Sequence, residues 1–120
     1  MARVLVVEDE LNVRLLITFI LKQMGWEVVE AQSGGDALDA LASDDDFDLV
    51  ITDILMPYVN GIELIEELKR EYPDIPILVT SAHTPESIEA LEKGADRSLP
   101  KPFSKQQLVE SVRALSVSSG

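Results

Sequence analysis

The sequence predicts an α/β domain in which five strands and five helices alternate, folded as a doubly wound parallel five-stranded sheet. Three observations carry this. Short apolar runs alternate with segments of helical periodicity along the whole chain. Three of the runs are almost continuously apolar, as strands covered on both faces must be. No linker or internal repeat interrupts the 120 residues, a length at which one domain buries roughly two thirds of its unfolded surface without disulfides or metal.

Each element follows in order. Val4 to Val7 form the first strand. Val13, Leu16, Ile17, Ile20, Leu21 and Met24 recur at the spacing of one helix face, and Gly25 stops that helix. Glu27 to Glu30 make a short second strand, and Ser33 caps a second helix expected to turn Leu38, Leu41 and Ala42 inward. Leu49 to Thr52 are the third strand. A turn with Pro57 and Gly61 leads to a third helix marked by Leu64, Ile65 and Leu68. Ile77 to Thr80 are the fourth strand, Thr84-Pro85-Glu86 opens the fourth helix, and Gly94 ends it. Arg97 to Leu99 form a weak fifth strand. Ser104 and Gln107 have the spacing of a capping box before Leu108, Val112 and Leu115. Strands one, three and four are almost continuously apolar and belong inside the sheet, whereas strands two and five carry polar residues and belong at its edges. The predicted strand order is therefore 2-1-3-4-5, with ligands expected at the carboxyl ends near the switch point between strands one and three.

Composition narrows the chemistry. The absence of cysteine excludes disulfide scaffolds, thiol catalysis and Cys-based zinc sites, and a lone histidine, His83, excludes multi-histidine centres. A formal net charge of −12 disfavours direct binding to nucleic acid and to anionic membranes. The apolar run after Arg3 is too short for a signal peptide or a membrane span, so the cytoplasm is the expected compartment.

The strand ends hold the reactive residues. The first strand ends in Glu8-Asp9-Glu10, the third in Asp53, the fourth in Ser81-Ala82 and the fifth in Leu99-Pro100-Lys101-Pro102. The predicted order brings Glu8, Asp9 and Asp53 into one cleft with Ser81 and Lys101 at its rim. Carboxylates so close raise one another's pKa or recruit a cation. An all-oxygen donor set selects a hard divalent ion, and a small open site suits Mg²⁺ better than Ca²⁺. Such a metal holds phosphoryl oxygens, Ser81 offers a hydroxyl donor, Lys101 a point charge, and a carboxylate is itself a nucleophile able to form an acyl phosphate.

With these residues in place, the sequence resembles a receiver domain of two-component response regulators. The resemblance runs from about Arg3 to Leu115. It rests on Val7-Glu8-Asp9-Glu10, Asp53-Ile54-Leu55-Met56-Pro57 with Gly61, Thr80-Ser81-Ala82, Gly94-Ala95-Asp96 and Lys101-Pro102-Phe103. It implies a flavodoxin-like receiver over residues 1–116, with 117–120 as a tail or linker start. It also implies a role for each site residue. Asp53 is the phosphoacceptor, and Asp9 a direct magnesium ligand. Glu8 is Asp9's partner, acting on the metal through water, and the Leu55 backbone carbonyl is a further ligand. Ser81 and the Ala82 amide bind the phosphoryl group, and Lys101 contacts its oxygens. The Lys101–Pro102 bond is expected to be cis. The implied partners are a histidine kinase or phosphotransfer protein as donor and a downstream effector, with output through the face of helix four, strand five and helix five. Such a domain turns over no external product. One position departs from the pattern: Ser98 stands where many receivers carry an inward-turning Tyr or Phe.

Plainer readings stand beside these. Asp44-Asp45-Asp46 reads as a solvated loop, and Glu63, Glu66, Glu67 and Glu71 as the wet face of the third helix. Trp26 reads as packing and His83 as an exposed loop residue. Competing functions are a pseudo-receiver that binds partners without phosphorylation, a phosphatase with an aspartyl nucleophile, and a flavin carrier of the same topology. The phosphatase would need an Asp-x-Asp pattern after the first strand. The flavin carrier would need a Ser/Thr/Gly-rich loop there, where this chain is acidic.

Overall fold

The computed structural model describes residues 2–54, 60–82 and 84–119, with side chains through Leu115 except that of Thr84. The elements are β1 (Arg3–Val7), α1 (Leu11–Gln23), β2 (Glu27–Ala31), α2 (Gly34–Ser43), β3 (Leu49–Asp53), α3 (Gly61–Glu71), β4 (Ile77–Ser81), α4 (Thr84–Lys93), β5 (Arg97–Pro100) and α5 (Lys105–Ser119). The five strands form one sheet in the order β2-β1-β3-β4-β5, parallel throughout. Both the alternation and the strand order agree with the sequence reading.

Alternation along the inner strands divides the core in two. Leu5, Val7, Val50, Ile77 and Val79 pack on one face against α2, α3 and α4. Val4, Val6, Leu49, Ile51, Leu78 and Leu99 pack on the other against α1 and α5. Side chains on a strand point to opposite faces in turn, so a parallel sheet with helices on both sides needs apolar residues at consecutive positions. The outer strands β2 and β5 keep exposed positions, as their polar residues require. Trp26 is partly buried against the α1/α5 side, as a packing residue.

The helix ends carry their signals in the sequence. Gly25 has φ of 90° and follows α1; its amide and that of Trp26 bond back to the carbonyls of Lys22 and Leu21, satisfying groups that the helix leaves open. Gly94 does the same for α4 at φ of 126°. Ser33 accepts from the Asp36 amide, and Ser104 and Gln107 bond reciprocally in a complete capping box. The start of α3 is capped by Asn60, which the sequence reading does not single out; its side chain accepts from the Glu63 amide at 2.9 Å. Two residues expected on inward helix faces need correction, Leu16 on α1, which is 50% exposed at the margin of the face that buries Ile17, Ile20 and Leu21, and Ala42 on α2. Ala37 and Leu41 are buried, whereas Ala42 is exposed and Leu38 only half-buried. Ala37 and Leu41 are four apart and share the inner face; Ala42 lies about 100° round from Leu41 and turns outward.

Leu78 lies on an inner strand and is fully buried. Leu78→Ala should lower the unfolding free energy by about 2–5 kcal/mol, read as a lower urea midpoint with an unchanged slope.

Candidate functional site

The switch point falls between β1 and β3, whose carboxyl ends lie side by side, with Val7 paired to Thr52. Chain continuity then places Glu8 and Asp9 next to Asp53. Carboxylate oxygens of Glu8, Asp9 and Asp53 lie within 4.8 Å of one another. Across from them stands Lys101, just past β5. Its Nζ donates to Glu8 Oε1 at 2.7 Å and sits 3.2 Å from Asp53 Oδ2. The sheet also reaches Ser81, which is buried at the end of β4 opposite Pro100, and the Lys101 amide donates to the Ser81 carbonyl at 2.9 Å. Ala82 is exposed and lines a shallow apolar groove with Val13, Leu16, Lys101, Pro102 and Phe103. The Lys101–Pro102 peptide is cis, as expected. Leu55, expected as a backbone ligand, and His83 lie outside the described residues.

Burial separates the three acids. Asp9 is exposed, Asp53 is largely covered, and Glu8 retains 1% of its accessible surface. Burial penalises the Glu8 anion and holds its pKa above the ordinary value; the hydrogen bond from Lys101 pulls the other way without cancelling this. For Lys101, burial acts downward, but Glu8 and Asp53 outweigh it and raise the ammonium above the usual lysine range. The lysine therefore stays charged at neutral pH. The second Glu8 oxygen accepts from the Glu10 amide, and Asp53 Oδ1 from the Ile54 amide at 2.7 Å. These bonds leave Asp53 Oδ2 as the oxygen that faces Lys101.

The donor set is all oxygen, small in span and partly open, which fits Mg²⁺. If all three acids are ionised, three negative charges face one ammonium, leaving two for a divalent ion to balance.

Two supporting residues are less evident in the sequence. Gly61 begins α3 directly on the end of β3, donating its amide to the Ile54 carbonyl at 2.6 Å. A Cβ there would collide with the Asp53 carbonyl oxygen and lie 2.5 Å from Ile54 Cα. Arg14 reaches from α1 to the Glu8 carbonyl at 2.8 Å. Its only sequence signal is a basic residue among the inward positions of the first helix.

Gly61→Ala should destabilise the protein by about 1–3 kcal/mol, because backbone rather than a flexible side chain must yield; chemical unfolding measures it. The raised pKa of Glu8 predicts a pH effect. A carboxyl that holds its proton more tightly when folded contributes stability below its unfolded value of about 4.5, and that contribution is lost as pH rises through the folded value. In metal chelator, the urea midpoint of Glu8→Gln should therefore gain on wild type as pH rises above about 4.5. A constant difference would contradict the assignment.

Comparison with known proteins agrees with this geometry. The family model described as the response regulator receiver domain matches residues 4–113. A probable transcriptional regulatory protein of Picosynechococcus sp. is 45% identical over 95% of this chain and 49% of its own length. The response regulator MprA of Mycolicibacterium vanbaalenii is 41% identical over 94% of this chain and 49% of its own. The chain thus spans about half the length of these curated relatives. Among solved structures, a response regulator receiver domain protein from Clostridium thermocellum superposes with a TM-score of 0.92 at 29% identity, covering 98% of this chain and 96% of the other. The chemotaxis protein CheY4 of Vibrio cholerae superposes with a TM-score of 0.89 at 30% identity, covering 96% and 98%. Sequence, strand order and site geometry converge: this chain belongs to the response regulator receiver domain family.

Proposed function

We propose that Asp53 accepts a phosphoryl group from a histidine kinase or phosphotransfer protein and that the domain passes this event to an effector. The observation that carries the reading is Asp53 Oδ2, set 3.2 Å from the Lys101 ammonium inside a carboxylate cluster at the switch point. Asp53 Oδ2 attacks phosphorus, the new P–O bond makes an acyl phosphate, and the bond to the donor's nitrogen breaks with its electron pair left on that nitrogen. Lys101 turns to the phosphoryl oxygens and stabilises the charge that gathers there. Ser81 and the Ala82 amide hold the same group from the end of β4. Glu8, Asp9, Asp53 and the Leu55 carbonyl would hold Mg²⁺. When bound, the ion supplies charge neutralisation and coordination sites for phosphoryl oxygens.

The same reading makes the domain a signalling module, with self-phosphorylation and self-dephosphorylation its only chemistry. We place the module in residues 1–116 and its action in the cytoplasm; no helix among the described residues is long and apolar enough to cross a membrane. Output belongs to the face of α4, β5 and α5, where Ile88 and Leu91 stand exposed. A second reading, partner binding without phosphorylation, is favoured by one observation: half-buried Ser98 on β5 supplies no aromatic ring to follow Ser81.

Intact-mass measurement after incubation with acetyl phosphate separates the two. Wild type should gain one phosphoryl group only with Mg²⁺, and Asp53→Ala should gain none. Failure of the wild type with acetyl phosphate, with a kinase donor and in beryllofluoride binding would leave the partner-binding reading.

A further inference from the structure

We propose that Arg14 is a positioning residue for the metal site, acting through the backbone of the acidic loop; this rests on the magnesium reading above. Glu8 lies one residue beyond Val7, the last residue of β1 paired to β2 or β3. Its amide donates to the Ala31 carbonyl at 3.0 Å. Its carbonyl has run past the ladder, and Arg14 Nη1 donates to it at 2.8 Å. The same guanidinium donates through Nε to Glu30 Oε1 at 3.0 Å. Arg14 thus ties α1, the end of β2 and the acidic loop together from a side chain with 14% of its surface exposed.

The Glu8 carbonyl belongs to the peptide that enters Asp9. Rotating that peptide swings the Asp9 Cα–Cβ bond and moves its carboxylate away from Asp53. Besides the Arg14 bond, the Glu10 amide donates to Glu8 Oε2, which fixes the Glu8 side chain rather than its carbonyl, and Glu10, at the N-cap of α1, makes no side-chain cap bond. Glu30 has a second effect. A bare guanidinium beside the carboxylates would repel a divalent cation, and the ion pair with Glu30 offsets that charge in part. What remains is geometric, a planar fork whose two donors point to two fixed acceptors. Lysine at this position keeps the charge but cannot meet both acceptors from fixed directions.

The experiment is a calorimetric Mg²⁺ titration of wild type, Arg14→Ala and Arg14→Lys, with circular dichroism to verify folding at the titration temperature. Both variants should bind Mg²⁺ about 10–100-fold more weakly, the usual cost of removing a group that orients a metal ligand. A general loss of stability would lower the unfolding midpoint and leave the affinity of the folded protein unchanged. Wild-type binding with both variants within about twofold of it would overturn the positioning role while leaving the magnesium site intact. Full affinity in Arg14→Lys alone would assign the effect to charge and overturn it as well; this variant also serves if Arg14→Ala does not fold. A wild type that takes up no Mg²⁺ would overturn the site and Arg14's role together.

Discussion

A carboxylate at 1% exposure is costly, and the arrangement around Glu8 is organised by that cost. The parallel sheet ends β1 and β3 side by side, which forces Glu8 and Asp53 together whatever their charge. Lys101 answers both from the fifth strand's exit. One ammonium thus pairs with two acids that come from different strands. Local bonds from the Glu10 and Ile54 amides then use one oxygen of each acid and fix which oxygens face the lysine. Assembly of the site depends on sequence-distant strands closing in the correct order, so the core and the chemistry are one problem.

Most of the fold was legible because its signals are local. Continuous apolar runs identified the inner strands, polar residues at Glu27, Glu30 and Arg97 identified the edges, and Gly25, Gly94, Ser33 and Ser104 marked helix ends by conformational or hydrogen-bonding needs of their own. The site was legible for a different reason. Acidic residues and a lysine directly after strands can serve only the sheet's carboxyl edge, so topology alone convened Glu8, Asp9, Asp53 and Lys101.

What escaped the sequence depends on rotation and distance. Ala42 adjoins Leu41 in sequence, but adjacent helical residues diverge by about 100°, and Ala37 holds the inner place. Asn60 is not singled out in the sequence reading, and the bond from the Glu63 amide shows it as the cap of α3. Arg14 gave no sign that its fork spans to Glu8 and Glu30, because both acceptors arrive from other strands. The need for glycine at position 61 is likewise a tertiary fact: it comes from backbone of β3's end lying against the first turn of α3.

The polar character of the outer strands bears on how the domain meets its own kind. An edge strand is a template for another chain's strand, and unprotected edges invite self-templated aggregation. Here each outer strand has one neighbour among the described residues, β1 for β2 and β4 for β5. The β2 edge carries exposed Glu27 and Glu30, so a second copy aligned there would bring carboxylates against carboxylates. The β5 edge is four residues long and ends in Pro100, which has no amide to offer a new ladder. A net charge of −12 adds a general repulsion between copies. Both edges of the sheet thereby disfavour growth, and the large exposed apolar residues among the described ones, Leu11, Leu15, Leu16 and Phe19 on α1 and Ile88 and Leu91 on α4, all belong to helices. The large exposed apolar side chains thus sit on helices, while the outer strands of the sheet present polar or short edges.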